Sequence, residues 1–372
     1  MIGKYIQQPS GYTAFIPNPF PPDGIFEFST KIYQKLSEAE RLLGKLDGLS
    51  SRLPDLDFFL SMYILKDATY SSQIEGTRAT MMDAIELSAG INEKNTDADD
   101  ILHYIEALNY SINRLSEFPF SLRFIREIHE KLMMGARSSH FADPGNFRKS
   151  QNWIGGTTPE NALFVPPPVE VLHTALDDIE RFIHSTECIP LLQVGLLHAQ
   201  FETIHPFLDG NGRTGRILIT LFLYSRTMLE KPVLFLSSYF KKYQQVYYDR
   251  LNGYHNGKVE EWIDFFLDGI IEIARESIET SKQIDTLRDE DMQKIQSLGK
   301  REAGSGVKLL NFLFSEPLVT TNTVSKALGF SWPGSQKAID RFINLNILSA
   351  YDETEKYGKR YIYRRYIDIF NN

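Results

Sequence analysis

Twelve consecutive residues, His205-Pro-Phe-Leu-Asp-Gly-Asn-Gly-Arg-Thr-Gly-Arg216, concentrate the chemistry of this chain. They hold one titratable base, one carboxylate, three glycines, one amide and two arginines. Glycines let backbone N–H groups approach an anion closely, and arginines neutralise it. A carboxylate has little use against phosphate alone. It has one if a divalent cation, Mg2+ or Mn2+, bridges it to the phosphates, and Asp209 is the candidate ligand. A histidine titrates near neutral pH and can take a proton from an incoming hydroxyl, which makes His205 the candidate general base. Gly210 and Gly212 would present N–H groups to a phosphate, and Asn211 its side-chain amide. Arg213 and Arg216 stand three apart on one helix and can face the same anion. Together these residues describe a nucleotide-phosphate site with a base beside it.

The elements that must position them follow from the flanking sequence. Leu191–Ile204 is predicted to be a buried helix. It should stop near His205-Pro206, because the residue before a proline avoids the α region. A glycine-rich turn then leads into a second helix opening near Arg213. Its first turn offers free N–H groups and the positive end of a dipole, so phosphate should sit there. Phe207 anchors the loop in the core. Gly210-x-Gly212-x-x-Gly215, with Glu230 about twenty residues on, formally matches a dinucleotide fingerprint. A helix rather than a buried strand precedes it, and the arginines crowd it. The P-loop alternative lacks its Lys and its Ser/Thr ligand. His198, Glu202 and His205 fall at four- and three-residue steps, a potential metal face; core-satisfying roles for His198 and Glu202 compete with it.

The twelve residues meet every fixed position of His-x-Phe-x-(Asp/Glu)-Gly-Asn-Gly-Arg-x-x-Arg, and the chain thereby resembles the Fic (Fido-fold) family. The resemblance implies transfer of AMP from ATP to a protein hydroxyl. It implies that Arg213 neutralises the β-phosphate and Arg216 the γ-phosphate. Ser71-Ser-Gln-Ile-Glu75-Gly76 resembles the inhibitory pattern of the family's N-terminally inhibited class, in which Glu75 would pair with Arg216 and compete with the γ-phosphate. Asn146–Gly156 and Ala162–Pro166 are two extended runs around a polar turn, predicted to form a β-hairpin. It resembles the family's flap, which binds a target segment by strand addition, and places Trp153, Ile154 and Gly155 beside the target. Tyr247 and Tyr248 both resemble the family's adenine-side tyrosine. Asn252 and Asn256 both occupy the region of its base-contacting asparagine.

The remainder of the 372 residues bounds the setting. The length suffices for two or three domains, and the composition is that of a soluble globular protein. No apolar run reaches membrane-spanning length. The single cysteine, Cys188, excludes an intramolecular disulfide framework and a Cys-based zinc site. With no signal-peptide pattern at the start, a cytoplasmic location is expected. Three- and four-residue apolar periods recur from Phe26 onward, so the chain is expected to be mainly α: a helical Fic core with a flap, plus a tail unit. The expected organisation is an N-terminal arm and helical region over 1–115, a catalytic core over 116–280, a charged, helical linker over 281–300 and a tail over 301–372. The opening 25 residues, rich in proline and aromatics, are expected as an extended arm.

The tail carries ten basic and seven acidic residues, against a net charge of −8 for the whole chain. Three short helices followed by a basic hairpin resemble a winged helix-turn-helix. Ser335, Gln336, Lys337 and Arg341 would lie on its recognition helix, with Lys359, Arg360, Arg364 and Arg365 near the wing. DNA and a protein partner, including a second copy of the chain, stand as alternatives for this unit. At the level of the whole chain, an ATP-dependent protein adenylyltransferase with a brake, acting on another protein or on itself, competes with three alternatives. These are a nucleotide-sensing DNA-binding regulator, a Fic-type kinase or other phosphotransferase, and an enzyme that removes AMP.

Overall fold

A computed structural model describes residues 2–22, 24, 26–50, 56–89, 96–136, 139–354 and 358–370. The expected class is the one observed: a mainly helical chain with small antiparallel sheets. The helices are α1 (Thr30–Ser50), α2 (Leu56–Ile74), α3 (Met81–Ser88), α4 (Thr96–Arg114), α5 (Leu122–Met133), α6 (Ser139–Ala142), α7 (Val169–His184) and α8 (Pro190–Ile204). They continue with α9 (Asn211–Ser225), α10 (Ser237–Lys242), α11 (Gln244–His255), α12 (Val259–Gln296), α13 (Lys300–Ser315), α14 (Thr321–Leu328), α15 (Trp332–Asn344) and α16 (Arg364–Phe370). The strands are β1 (Gly3–Gln7), β2 (Thr13–Pro17), β3 (Leu318–Thr320), β4 (Ser349–Ala350) and β5 (Arg360–Ile362).

The central element is α8. Every residue from Leu191 to Ile204 is buried, as expected for a helix that is apolar all round rather than on one stripe. Pro190 occupies its first turn, where a missing N–H costs nothing. α9 packs against α8, and α5, α11 and α12 close around the pair. Amphipathic helices supply this shell. In α5, Phe124, Ile125, Ile128, Leu132 and Met133 turn inward, and Ser121 caps its first turn by accepting from Phe124 N. Trp262 of α12, fully buried, donates from Nε1 to the carbonyl of Gly195 at 2.8 Å. A Cβ on Gly195 would meet the Phe266 ring at 2.9 Å, so only glycine permits this approach of α12 to α8.

Two expectations are corrected. The opening segment is not a single extended arm: β1 and β2 form an antiparallel hairpin, Gly3 opposite Pro17, whose Phe15 N donates to Val165 O at 2.9 Å. The Phe147–Val165 segment is not a regular hairpin ladder. It makes one antiparallel bridge, Ile154 with Phe164. Beyond that bridge the backbone turns at Gly155 and Gly156, and the Asn161 side chain takes the N–H groups of Thr157 and Thr158 at 2.9 Å each. Residues 281–296, expected to be helical, are the last turns of α12, where Ile284, Leu287 and Ile295 continue the buried stripe and, Asp291 apart, the charges lie towards solvent.

The tail runs helix, strand, helix, helix, strand, strand, with β5 central between β3 and β4, and adds α16, which the sequence pattern did not suggest. Fully buried Asp291 of α12 anchors it, accepting from Tyr363 Oη at 2.7 Å and Arg365 Nη1 at 3.0 Å. Phe370 of α16 meets the Tyr63 ring of α2 edge-on at 5.2 Å between centroids.

Candidate active site

α8 ends at His205 and α9 begins at Asn211, so the intervening loop sits where two buried helices meet. Gly210 caps α9 at φ +76, in the left-handed region, and a Cβ there would collide with Met133 Sδ. The loop is held from inside. Asn211 accepts from Phe207 N and donates to Phe207 O, each at 2.8 Å. Phe207 stacks on His129 of α5 at 3.7 Å. His129 accepts at Nδ1 from Gly145 N, which leaves Nε2–H to donate to Asp209 O at 2.9 Å. Burial pushes the His129 ring down to about 4, so it stays neutral and keeps this tautomer.

His205, Asp209 and Arg216 line one cavity of about 540 Å³, together with Glu75, Tyr248 and Asn252. His205 has φ +49 and ψ +63. Its Nδ1 faces the main-chain oxygen of Glu202 at 3.3 Å, so Nδ1 carries the proton and Nε2 the lone pair. Burial lowers His205 to about 4 and raises Glu202 to about 8. The 3.7 Å approach of His205 Nδ1 to Glu202 Oε2 is therefore a contact between neutral groups and not an ion pair. Asp209 accepts from Gly210 N at 2.6 Å through Oδ1.

Arg216 is buried and engaged by the end of α2 through Nε and Nη2. Nε donates to Ser71 Oγ at 2.8 Å, and Nη2 donates to Ser71 O at 3.0 Å and to Glu75 Oε1 at 2.6 Å. Ser71 and Glu75 are four apart, one helical turn, which places both on this guanidinium. Gly76, at φ +98, ends the turn immediately after Glu75. A Cβ on Gly212 would collide with Glu75 Oε1.

Several sequence-predicted residues sit elsewhere than expected. Arg213 is buried away from the cavity, with Nη1 3.8 Å from Asp100 Oδ1 and Nη2 3.5 Å from Met133 Sδ. The three-residue step turns it towards α4 and α5 while Arg216 faces α2. The Asn211 amide closes the loop through its two bonds to Phe207, and the residue also lines the cavity. Tyr247 lines the cavity but is almost wholly buried: it stacks on Phe240 at 4.5 Å and its Oη meets His198 Nε2 at 2.9 Å. His198 uses its other nitrogen on Gly215 O at 3.1 Å, which leaves no ring nitrogen for a metal. Tyr248 is 38% exposed at the cavity rim. Asn252 lines the cavity, and Asn256 instead donates to Asn252 O at 3.1 Å. Trp153 and Ile154, partly exposed, border the cavity with Gly155 and Leu163. Cys188 is a buried thiol pushed up to about 12 by burial.

In the tail, Ser335 is buried, and Gln336 bonds Thr321, Asp340 and Tyr361. Arg341 faces Glu302 at 3.8 Å, and Arg365 pairs with Asp291 and Glu290. Gln336, Arg341 and Arg365 contact other residues of the chain and Ser335 is enclosed, while Arg365, Lys337, Lys359 and Arg364 are exposed. The sequence reading missed three residues of the site: His129, Arg148 and Asn152. Arg148 and Asn152 lie in the segment noted for its shape, and His129 is indistinguishable from the apolar face of α5.

A buried helical pair joined by a glycine turn, with its histidine, aspartate and arginine on one cavity, matches the Fic class of proteins, and comparison with known families agrees. The chain belongs to the Fic/DOC family: the Fic/DOC N-terminal profile matches residues 33–113 and the Fic/DOC profile residues 119–223, together half of the chain. Among curated proteins it is similar to the protein adenylyltransferase Fic of Aedes aegypti, 27% identical over 246 residues, covering 62% of this chain and 45% of that protein. The protein of the same name from Drosophila melanogaster is 27% identical over 210 residues, covering 54% and 39%. The chain thus spans less than half the length of these relatives. In fold it is similar to a Fic family protein from Desulfovibrio desulfuricans G20, at a TM-score of 0.59 and 18% identity, covering 92% of this chain and 98% of that one. Fic-1 from C. elegans gives a TM-score of 0.54 at 18% identity, covering 68% and 75%.

Proposed function

We propose that this chain is a protein adenylyltransferase. It moves AMP from ATP to a Ser, Thr or Tyr hydroxyl of a protein, its own surface included, and Glu75 restrains it. The observation that carries this reading is that His205, whose Nε2 has no hydrogen bond among the described residues, the Asp209 carboxylate and the buried Arg216 open onto one cavity. The target hydroxyl oxygen attacks the α-phosphorus and its proton passes to His205 Nε2. The bond from the α-phosphorus to the bridging oxygen breaks and pyrophosphate leaves. Arg216 would hold the γ-phosphate once Glu75 moves off, and backbone N–H groups at the start of α9 would face the phosphates. Trp153 and Ile154 at the cavity edge would seat the target chain.

Among the described residues no group of three or more His, Cys, Asp or Glu forms a metal cage. Asp209 alone suits Mg2+ or Mn2+ that arrives on nucleotide phosphates, since such an ion takes one or two protein carboxylates and keeps phosphate and water ligands. When bound it would neutralise phosphate charge.

The test is transfer from ATP labelled separately at the α- and γ-phosphates, on the parent, Glu75→Gly and His205→Ala. Label from the α-position on protein, raised by Glu75→Gly and lost with His205→Ala, supports a restrained adenylyltransferase. Label from the γ-position alone means a kinase. Binding of ATP with no label from either position means a nucleotide-sensing regulator. Release of AMP from a modified protein would add the reverse activity.

A further inference from the structure

We infer that Arg148 and Asn152 are positioning residues for His205, fixing through its carbonyl oxygen the backbone conformation that aims the imidazole into the cavity. The inference rests on the adenylyltransferase reading for its kinetic test only. His205 sits in the left-handed region at φ +49, which is unfavourable for a residue with a side chain. Pro206 follows it and restricts its backbone further. Such a conformation persists only when its surroundings over-determine it.

The surroundings here are two side-chain donors on one carbonyl. Arg148 Nε and Asn152 Nδ2 each donate to His205 O at 3.0 Å. Asn152 Nδ2 also reaches Phe207 O at 2.8 Å, and Arg148 N donates to Pro206 O at 2.9 Å, so three consecutive carbonyls are held from one side. The Arg148 guanidinium goes on to Ser150 O at 3.3 Å, Ile204 O at 3.3 Å and Pro167 O at 2.5 Å. It is 2% exposed, and among the described residues no carboxylate lies within ion-pair distance of it. A buried charge with only carbonyl partners is costly, and a neutral side chain could not donate in so many directions. Its partners belong to both ends of the segment that borders the cavity and to the end of α8. The base and the surface that would seat a target are therefore set against each other by one guanidinium.

The experiment places Asn152→Ala and Arg148→Lys separately in the Glu75→Gly chain. Should Arg148→Lys fail to fold, Asn152→Ala keeps the test. Side-chain 15N spectra of His205 should show one tautomer in the Glu75→Gly chain and a mixed or broadened imidazole in the variants. AMP transfer should lose about 30–100-fold in kcat with KM for ATP held within about threefold, the signature of a misplaced reacting group. An unchanged imidazole spectrum in a folded variant would overturn the inference. So would a kcat within about threefold of the parent, or a loss matched by weaker ATP binding. A Glu75→Gly chain that transfers nothing would remove the adenylyltransferase reading instead, and the imidazole spectrum would still decide this one.

Discussion

Arg216 and Glu75 lie 141 residues apart in sequence and 2.6 Å apart in the structure. The arginine side chain is 2% exposed and the glutamate 39%. On the proposed reading, the asymmetry lets Glu75 swing into solvent while Arg216 stays in the wall. A phosphate bound at Arg216 Nη2 would then compete with the carboxylate for the same donor.

Replacing Glu75 by Gly should raise AMP transfer by about tenfold or more, because a charge-assisted hydrogen bond of about 1.5–3 kcal/mol no longer opposes the γ-phosphate. Equal initial rates from the parent and the variant with α-labelled ATP would remove the restraint from the account. Arg216→Ala should not mimic this gain, since it deletes the site for which Glu75 and phosphate compete.

Loss of His205 should abolish transfer while leaving ATP binding within a few-fold by calorimetry. The ring is held down to about 4 by burial. Its lone pair therefore survives well below neutrality, and kcat/KM should stay flat from pH 8 to about 5.5 and fall only on approach to 4. A fall centred near the ordinary histidine value of about 6.5 would show that the working base is another group or is less buried.

Stability should fall as the solution is acidified from neutrality. His129, His198, His205 and His255 are pushed down to about 4, 3, 4 and 3 by burial. In the unfolded chain they protonate at about 6.5. Between those values the unfolded state binds more protons, so stability drops with pH at up to about 1.4 kcal/mol per group for each pH unit. Buried Glu202 and Asp67, both raised, act in the opposite sense above the ordinary carboxyl range but are outnumbered. Thermal midpoints recorded from pH 7.5 to 5 should decrease; a level or rising series would contradict the neutral-histidine assignment.

The two adjacent tyrosines should separate cleanly. Tyr248→Ala should raise KM for ATP several-fold and leave the thermal midpoint close to the parent, because its ring stands at the cavity rim. Tyr247→Ala removes a ring that is 1% exposed and should cost about 3–5 kcal/mol of stability. The reverse pattern in denaturation and ATP titration would exchange their roles.

What could be read in advance was what depends on neighbours in sequence. The apolar run Leu191–Ile204, stopped by His205-Pro206, set a helix end that the structure repeats at Ile204. The glycine turn between two apolar helices was legible for the same reason. Rotation about a helix was not. Spacing placed Arg213 and Arg216 on one helix but could not say that one meets Met133 and the other α2. Likewise Tyr247 and Tyr248 differ only by which side of α11 faces Phe240. The two extended runs around the polar turn suggested a ladder, but two positive-φ glycines turn the backbone out of register after one bridge. Arg148 and Asn152 were invisible because their partner, His205, is more than fifty residues away.

α2 is gripped at two ends by different parts of the molecule. Tyr63 meets Phe370 of the tail, and α13 packs along the same helix, whose far end delivers Ser71 and Glu75 to Arg216. A chain shortened at Gln296 is therefore not a minimal enzyme with its behaviour intact. It would leave an aromatic flank of the restraining helix wet, along with the last buried turns of α12. A gain of activity after such trimming would report a loosened support rather than the removal of an independent inhibitory module.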